Sequence, residues 1–137
     1  MATVKQLFVN LPVKDLNKSI AFFTKTGFTF NQQFTNENAT CMVLSDTIQV
    51  MLLTEKFFGT FSDKKIIDAK TNTEAICALS VGSRDEVNEL VEKATEAGGR
   101  EYKEHQDHGW MYTRCFEDLD GHQWEVFFMD MSAMPQE

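Results

Sequence analysis

The first half of the chain begins with a strand-like pattern of apolar residues and continues with a helical one. Apolar residues recur at every second position over 6–12, which predicts a strand with two different faces. Behind Asp15, apolar residues then recur at helical spacing, which predicts a helix capped by Asp15 and ending at Gly27. Three further strands, separated by turn-forming residues, are predicted at 28–34, 40–44 and 48–54. This half therefore has the order βαβββ.

The same order of patterns returns in the second half. An apolar segment at 75–81 predicts a strand, and Ser83 and Glu86 form a capping box in front of the apolar stripe of a helix that ends at Gly98. Three more strands are predicted at 100–104, 110–117 and 123–129.

Corresponding positions in the two halves indicate an internal duplication. Val13 and Val81 are 68 residues apart and Gly27 and Gly98 are 71 apart, so the second copy carries a short insertion. We predict an α+β fold in which two βαβββ modules form a half-open eight-stranded barrel-like sheet around a cleft. The expected parts of this single domain, 1–137, are module 1 at about 4–54, a linker loop at about 55–73 and module 2 at about 74–130.

The linker loop carries three phenylalanines, Phe57, Phe58 and Phe61, before a polar stretch. They either close over the cleft as a lid or pin the loop to the core, and the sequence leaves both readings open.

Composition and charge argue against nucleic acid and membranes as partners. A net charge of −8 and a pI near 4.8 repel phosphate backbones and anionic lipid, so we expect neither nucleic acid nor a membrane as partner. No apolar run approaches the roughly 18 residues of a membrane span, and the first residues do not resemble an export signal. The three cysteines, Cys41, Cys77 and Cys115, form no C-x-x-C pair, which favours buried thiols in a reduced, cytoplasmic protein.

Two segments resemble a known family. The run Leu11-Pro12-Val13-Lys14-Asp15-Leu16, with Gly27-Phe28 after it, is similar to the opening of the vicinal oxygen chelate superfamily of glyoxalases, bleomycin-resistance proteins and extradiol dioxygenases. The run Asp118-Leu119-Asp120-Gly121-His122-Gln123-Trp124-Glu125 resembles the family's D-P-D-G-x-x-x-E signature, with Leu119 in place of proline. The resemblance implies the duplicated fold, a small-molecule partner and a homodimer.

The resemblance also implies a metal held by one residue from the first and one from the last strand of each module. Those positions fall on Phe8, Met51, Ile76 and Glu125, of which only Glu125 is a conventional ligand. We therefore expect no metal or other cofactor. The alternative is a metal-dependent lyase or isomerase of the glyoxalase type, or an extradiol dioxygenase, that recruits non-standard ligands such as Gln49, His105 or His108.

The alternation of side chains along the strands and the resemblance together predict the site residues. Glu125 lies in an apolar strand, where a carboxylate is suited to general acid or base catalysis or to anchoring a ligand, and it is the candidate catalytic residue. The candidate ligand-binding residues are Phe8, Asn10, Met51, Ile76, Tyr112, Arg114 and Gln123.

Two points about these residues stay open in the sequence. If the face of strand 110–117 that carries Tyr112 lines the cleft, Arg114 is a partner for Glu125; otherwise both residues lie on an outer rim. His105 and His108 point to opposite faces of an extended segment, which disfavours a shared metal, and His122 is expected to cap the turn before the last strand.

The combined expectation is a cytoplasmic protein that binds, and in an enzymatic variant transforms, a small organic molecule without the family's metal. A further alternative is that the sheets serve only as a dimer or partner interface.

Overall fold

The computed structural model describes residues 2–135, which divide after Ile67 into two compact units. Each unit contains one four-stranded sheet. Within residues 2–135, no helix has the length and hydrophobicity that a bilayer crossing requires.

The first unit has the predicted order βαβββ. Its elements are β1 (Leu7–Val13), α1 (Leu16–Lys25), β2 (Thr29–Asn31), β3 (Ala39–Val43), β4 (Ile48–Thr54) and the one-turn helix α2 (Glu55–Phe58). The strand order is β1-β4-β3-β2, with β1 parallel to β4 and the other neighbours antiparallel.

The second unit repeats this topology. Its elements are β5 (Ile76–Ser80), α3 (Arg84–Glu96), β6 (Gln106–Asp107), β7 (Met111–Glu117) and β8 (Gln123–Met129). The strand order β5-β8-β7-β6 matches that of the first unit, and β5 is again parallel to the central strand β8. The α+β class and the two βαβββ modules are thus confirmed. The insertion lies in the helix, because α3 has 13 residues and α1 has 10.

Both longer helices begin and end at the predicted residues. Asp15 accepts a hydrogen bond from the Lys18 backbone N–H at 3.1 Å, and Ser83 accepts one from the Glu86 N–H at 3.1 Å. Gly27 and Gly98 follow the C-caps with φ of +107° and +113°, a region that glycine enters at little cost. One detail differs from the capping box: the Glu86 carboxylate accepts from the N–H of Gly82, one residue before the cap.

Each unit buries its own apolar core. Phe22 and Phe23 of α1 are buried in the first unit along with Met42, Val50 and Leu52. In the second unit the buried apolar residues of α3 and of the sheet are Val87, Val91, Ala94, Phe116, Trp124 and Val126. The Phe116 and Trp124 rings stack at 6.2 Å, and the Trp124 indole N–H donates to the Asp118 carboxylate at 3.0 Å.

Three predicted segments differ from the structure. The strand predicted at 28–34 stops at Asn31, whose side chain accepts from the Gln33 N–H and starts a single 3-10 turn. The linker begins with α2, where the Thr54 hydroxyl accepts a hydrogen bond from the Phe57 N–H and so caps the helix. The strand predicted at 100–104 is reduced to an isolated bridge between Arg100 and Glu117.

The loss of the 100–104 strand has a geometric cause. Arg100 pairs with Glu117 and Gln106 pairs with Thr113, so six steps along one segment match four along β7. The two extra residues break the ladder between these points, and pairing resumes only at β6.

Candidate ligand-binding face

The second sheet has one face toward α3 and one face away from it. Tyr112 and Arg114 lie on the α3 side, because both donate hydrogen bonds to Asn88 of that helix. Cys115 alternates with them on β7 and is paired in register with Glu125, which is paired in turn with Ala78. We call the side opposite α3 the Glu125 face; it carries Ile76, Ala78, Ser80, Thr113, Cys115, Gln123, Glu125 and Phe127.

Glu125 lies near the middle of this face and is half-buried. Its carboxylate has no hydrogen-bond or ion-pair partner among residues 2–135. Its register neighbours are Ala78 and Cys115, and Phe127 is the next residue of β8 on the same side. An unpaired carboxylate in such surroundings can accept a hydrogen bond from a bound molecule or exchange a proton with it.

Tyr102 belongs to the same surroundings, although the sequence analysis did not identify it. Its hydroxyl lies near the Cys115 thiol, which donates a hydrogen bond to the Lys103 carbonyl oxygen at 3.8 Å. Burial, then the neighbouring thiol and the charges of Glu125 and Glu117, raise the pKa of Tyr102. The phenol therefore stays protonated at neutral pH.

Continuing the Arg100–Glu117 bridge by two residues places Tyr102 opposite Cys115. The position of Tyr102 therefore depends on the pairing register between residues 100–102 and β7. The sequence shows the alternation along the segment but not this register.

Gln123, the first residue of β8, adds a polar group at one end of the Glu125 face. Its Oε1 atom is buried and has no hydrogen-bond partner among residues 2–135. Gln123 and Glu125 are two residues apart on one strand, so their side chains start about 7 Å apart. A buried acceptor without a donor costs stability, which a donor group from a ligand would offset.

The α3 side of the sheet holds the two remaining candidates of this unit. Arg114 binds Glu101 through two hydrogen bonds of 3.0 and 2.9 Å and Asn88 at 2.9 Å, and Tyr112 donates to Asn88 at 2.7 Å. The pair between Arg114 and Glu125 is therefore not formed, because the two side chains lie on opposite sides of the sheet. Nor do Tyr112 and Arg114 lie on an exposed rim: both are half-buried and border an open cavity of about 840 Å³ lined also by residues 101–105.

The candidates of the first unit share one side of its sheet, as parity predicts. Phe8 is paired with Gln49 and Asn10 with Met51, so all four side chains lie on the same side. Phe8 is 44% exposed, whereas Gln49 is buried and accepts from the Cys41 thiol at 3.6 Å. The cleft predicted between the two sheets, and with it a site shared by both units, stays a prediction.

The linker phenylalanines are held within the first unit. The Phe57 and Phe61 rings meet edge to face with centroids 5.1 Å apart, and α2, which carries Phe57 and Phe58, contacts β1 and β4. This arrangement fits contacts that pin the loop.

The four positions that correspond to the family's metal ligands offer few donor atoms. Phe8 and Ile76 offer no donor, Met51 offers a thioether, and Glu125 offers the one carboxylate. A catalytic divalent ion normally has three protein ligands of nitrogen, oxygen or thiolate type, so this set does not fit it.

The histidines do not gather around Glu125. His105 and His108 are exposed and flank β6, and the His105 ring lies 5.8 Å from the Tyr112 ring on the α3 side. The backbone N–H of His122 donates to the Asp118 carboxylate at 3.0 Å, so in this turn the capping side chain is that of Asp118.

Two βαβββ units with the same strand order define the class of proteins with a duplicated, mixed-sheet α+β fold. A model of the Glyoxalase/Bleomycin resistance protein/Dioxygenase superfamily matches residues 5–126. The chain belongs to this superfamily.

Solved structures support the assignment of the fold. The hypothetical protein SA1046 from S. aureus is 28% identical with a TM-score of 0.78, and the match covers 93% of this chain and 95% of that one. A glyoxalase-related enzyme from Fulvimarina pelagi is 20% identical with a TM-score of 0.75, covering 90% and 88%. A glyoxalase/bleomycin resistance protein/dioxygenase family enzyme from Burkholderia phytofirmans PsJN is 16% identical with a TM-score of 0.73, covering 93% and 99%. A comparison with curated proteins finds no match.

Proposed function

We propose that this chain binds a small organic molecule on the Glu125 face, and that it does so without the metal typical of its superfamily. The observation that carries this proposal is a half-buried carboxylate, Glu125, without a partner among residues 2–135, on a sheet face that also exposes Ile76 and Ala78. A carboxylate removed from water without a partner costs free energy, and a ligand that donates a hydrogen bond offsets this cost.

The groups around Glu125 suit recognition of a ligand with a polar end and an apolar body. Phe127, Ala78 and Ile76 supply apolar surface, and the Glu125 carboxylate supplies the polar acceptor. In an enzymatic variant of the proposal, Glu125 accepts a proton from the bound molecule and can return it later in the reaction.

The metal-free part of the proposal depends on the donor set described above. Only Glu125 among the four corresponding positions offers oxygen or nitrogen, so binding has to rely on shape, hydrogen bonds and charge.

A fragment screen by two-dimensional NMR tests the location of binding. We expect the fragments that bind to shift the backbone signals of Ala78, Cys115 and Glu125, and we expect Glu125→Gln to weaken their binding. Glu96→Gln is the matched control, because Glu96 is an exposed residue of α3 and its replacement changes the net charge by the same amount. Fragments that shift only signals elsewhere, or that bind both variants equally, contradict the proposal.

Location and assembly belong to the same proposal. The free cysteines suit the reducing cytoplasm, and membership of the superfamily suits a homodimer. Light scattering on the purified protein measures the mass directly, and a mass of one chain contradicts the dimer.

A further inference from the structure

We infer that the molecule recognised by the Glu125 face is an organic cation, with an ammonium or guanidinium group at Glu125 and an apolar body along the sheet. This inference rests on the proposed function, since it names the class of ligand for the same site. It follows from the charges that surround Glu125, from the groups on its face and from the distribution of charge between the two units.

No arginine is left to neutralise Glu125. All three arginines of the chain lie in the second unit, and each forms an ion pair with another carboxylate. These pairs are Arg84–Asp107 at 2.7 Å, Arg100–Glu117 at 3.0 Å and Arg114–Glu101 at 2.9 Å. Because each guanidinium already binds another carboxylate, none of the three is available to pair with Glu125.

The lysines of the second unit do not change this balance. Lys93 pairs with Glu89 on α3 at 2.7 Å. Lys70 and Lys103 are exposed. The charge of Lys103 reaches the Cys115 thiol, but solvent and salt screen an exposed ammonium more than they screen the half-buried carboxylate.

The charge of the whole unit acts in the same direction. The second unit contains sixteen acidic and six basic residues, whereas the first contains five acidic and seven basic residues. The excess negative charge of the protein is therefore concentrated in the unit that carries Glu125. Such a field raises the local concentration of cations and repels anions.

The neighbouring side chains suit a cation with an apolar body. Phe127 lies two residues from Glu125 on the same side of β8, about 7 Å along the strand, and aromatic rings attract ammonium and guanidinium groups. The Gln123 Oε1 acceptor, which has no partner in residues 2–135, lies about 7 Å along the strand. A second donor at that distance from the cationic group would satisfy it.

Three phenylalkyl compounds of similar size test this inference: 2-phenylethylammonium, the neutral 2-phenylethanol and the anionic 3-phenylpropionate. NMR titration of the full chain at millimolar concentrations gives a dissociation constant for each compound. We expect the ammonium compound to bind about tenfold to a hundredfold more tightly than the alcohol, since a charge-assisted hydrogen bond distinguishes them. We expect the anion to bind least tightly.

The variants identify the residue responsible. Glu125→Gln should remove most of the preference for the ammonium compound, and Glu96→Gln should retain it. Retention of the preference in Glu125→Gln means that the general negative field of the unit, rather than Glu125, attracts the cation, and it overturns the inference.

The remaining outcomes separate the inference from the proposed function. Binding of the alcohol or the anion at the Glu125 face with equal or higher affinity overturns the cation inference and leaves the proposed function intact. Failure of all three compounds and of the fragment screen to shift signals on this face contradicts the proposed function itself.

Discussion

The turn before β8 determines where Glu125 lies, and Gly121 is the residue of that turn that tolerates substitution least. Gly121 has a φ of +92°, and a Cβ atom there would lie 2.7 Å from Lys70 Cα and 2.8 Å from Lys70 N. Both neighbours are backbone atoms, so no side chain can rotate away to make room. Gly121→Ala should therefore lose stability for two separate reasons.

The size of the loss can be worked out from these two contributions. An alanine at positive φ costs about 1–2 kcal/mol, and forcing an extra methyl group against packed atoms costs about 1–3 kcal/mol. The expected total is a decrease of about 2–5 kcal/mol in the free energy of unfolding, a large share of the roughly 5–15 kcal/mol typical of a domain.

Gly109→Ala is the matched control for this experiment. Gly109 also has a positive φ, +82°, but no atom lies within 4 Å of the Cβ position. It should lose only the conformational part, about 1–2 kcal/mol. Urea unfolding followed by tryptophan fluorescence, to which the buried Trp124 contributes along with Trp110, measures both variants. Equal losses in the two variants would refute the close approach of Lys70 to this turn.

Two further predictions concern the second unit's ion pairs and the cysteines. Arg114→Met should decrease the free energy of unfolding by about 1–3 kcal/mol, because it leaves the partly buried Glu101 without its partner. Lys93→Met breaks an exposed ion pair with Glu89 and should leave the urea midpoint nearly unchanged. Similar decreases of the urea midpoint in both variants would contradict this prediction. Burial raises the pKa of all three cysteine thiols, so the thiolate fraction is small at pH about 8. The folded protein should therefore react slowly with a disulfide reagent at that pH. The rate should increase only as the pH passes the ordinary thiol pKa of about 8.5. Rapid reaction of the folded protein at neutral pH would show that the thiols are accessible.

Local patterns predicted the helices and most strands because their causes are local. The cap at Asp15, the cap at Ser83 and the glycines after both helices involve residues at most four positions apart, so the sequence contains the whole interaction. The strands β4 and β8 were predicted with their observed ends, since turn residues bound both of them.

The pairing of distant segments was not predictable in the same way. Nothing near residues 100–104 shows that Arg100 pairs with Glu117 or that two residues are extra before β6. The position of Tyr102 beside Cys115 depends on that pairing, and for this reason Tyr102 was missed.

The side of β7 that faces α3 was left open, although one feature of the sequence bears on it. The set Tyr112, Arg114 and Phe116 includes the largest apolar residue of the strand, and Phe116 proves to be fully buried on the α3 side. A half-buried arginine is not expected from hydrophobicity, and the hydrogen bonds to Asn88 and Glu101 that make it possible join residues far apart in the chain.

The central claim is that this member of the superfamily binds its ligand without a metal. Its most direct test is the dissociation constant of 2-phenylethylammonium for protein dialysed against EDTA, measured before and after addition of one equivalent of zinc, manganese or iron(II). We predict the same dissociation constant in every case. Binding that disappears after EDTA treatment and returns with one of these ions would contradict the claim.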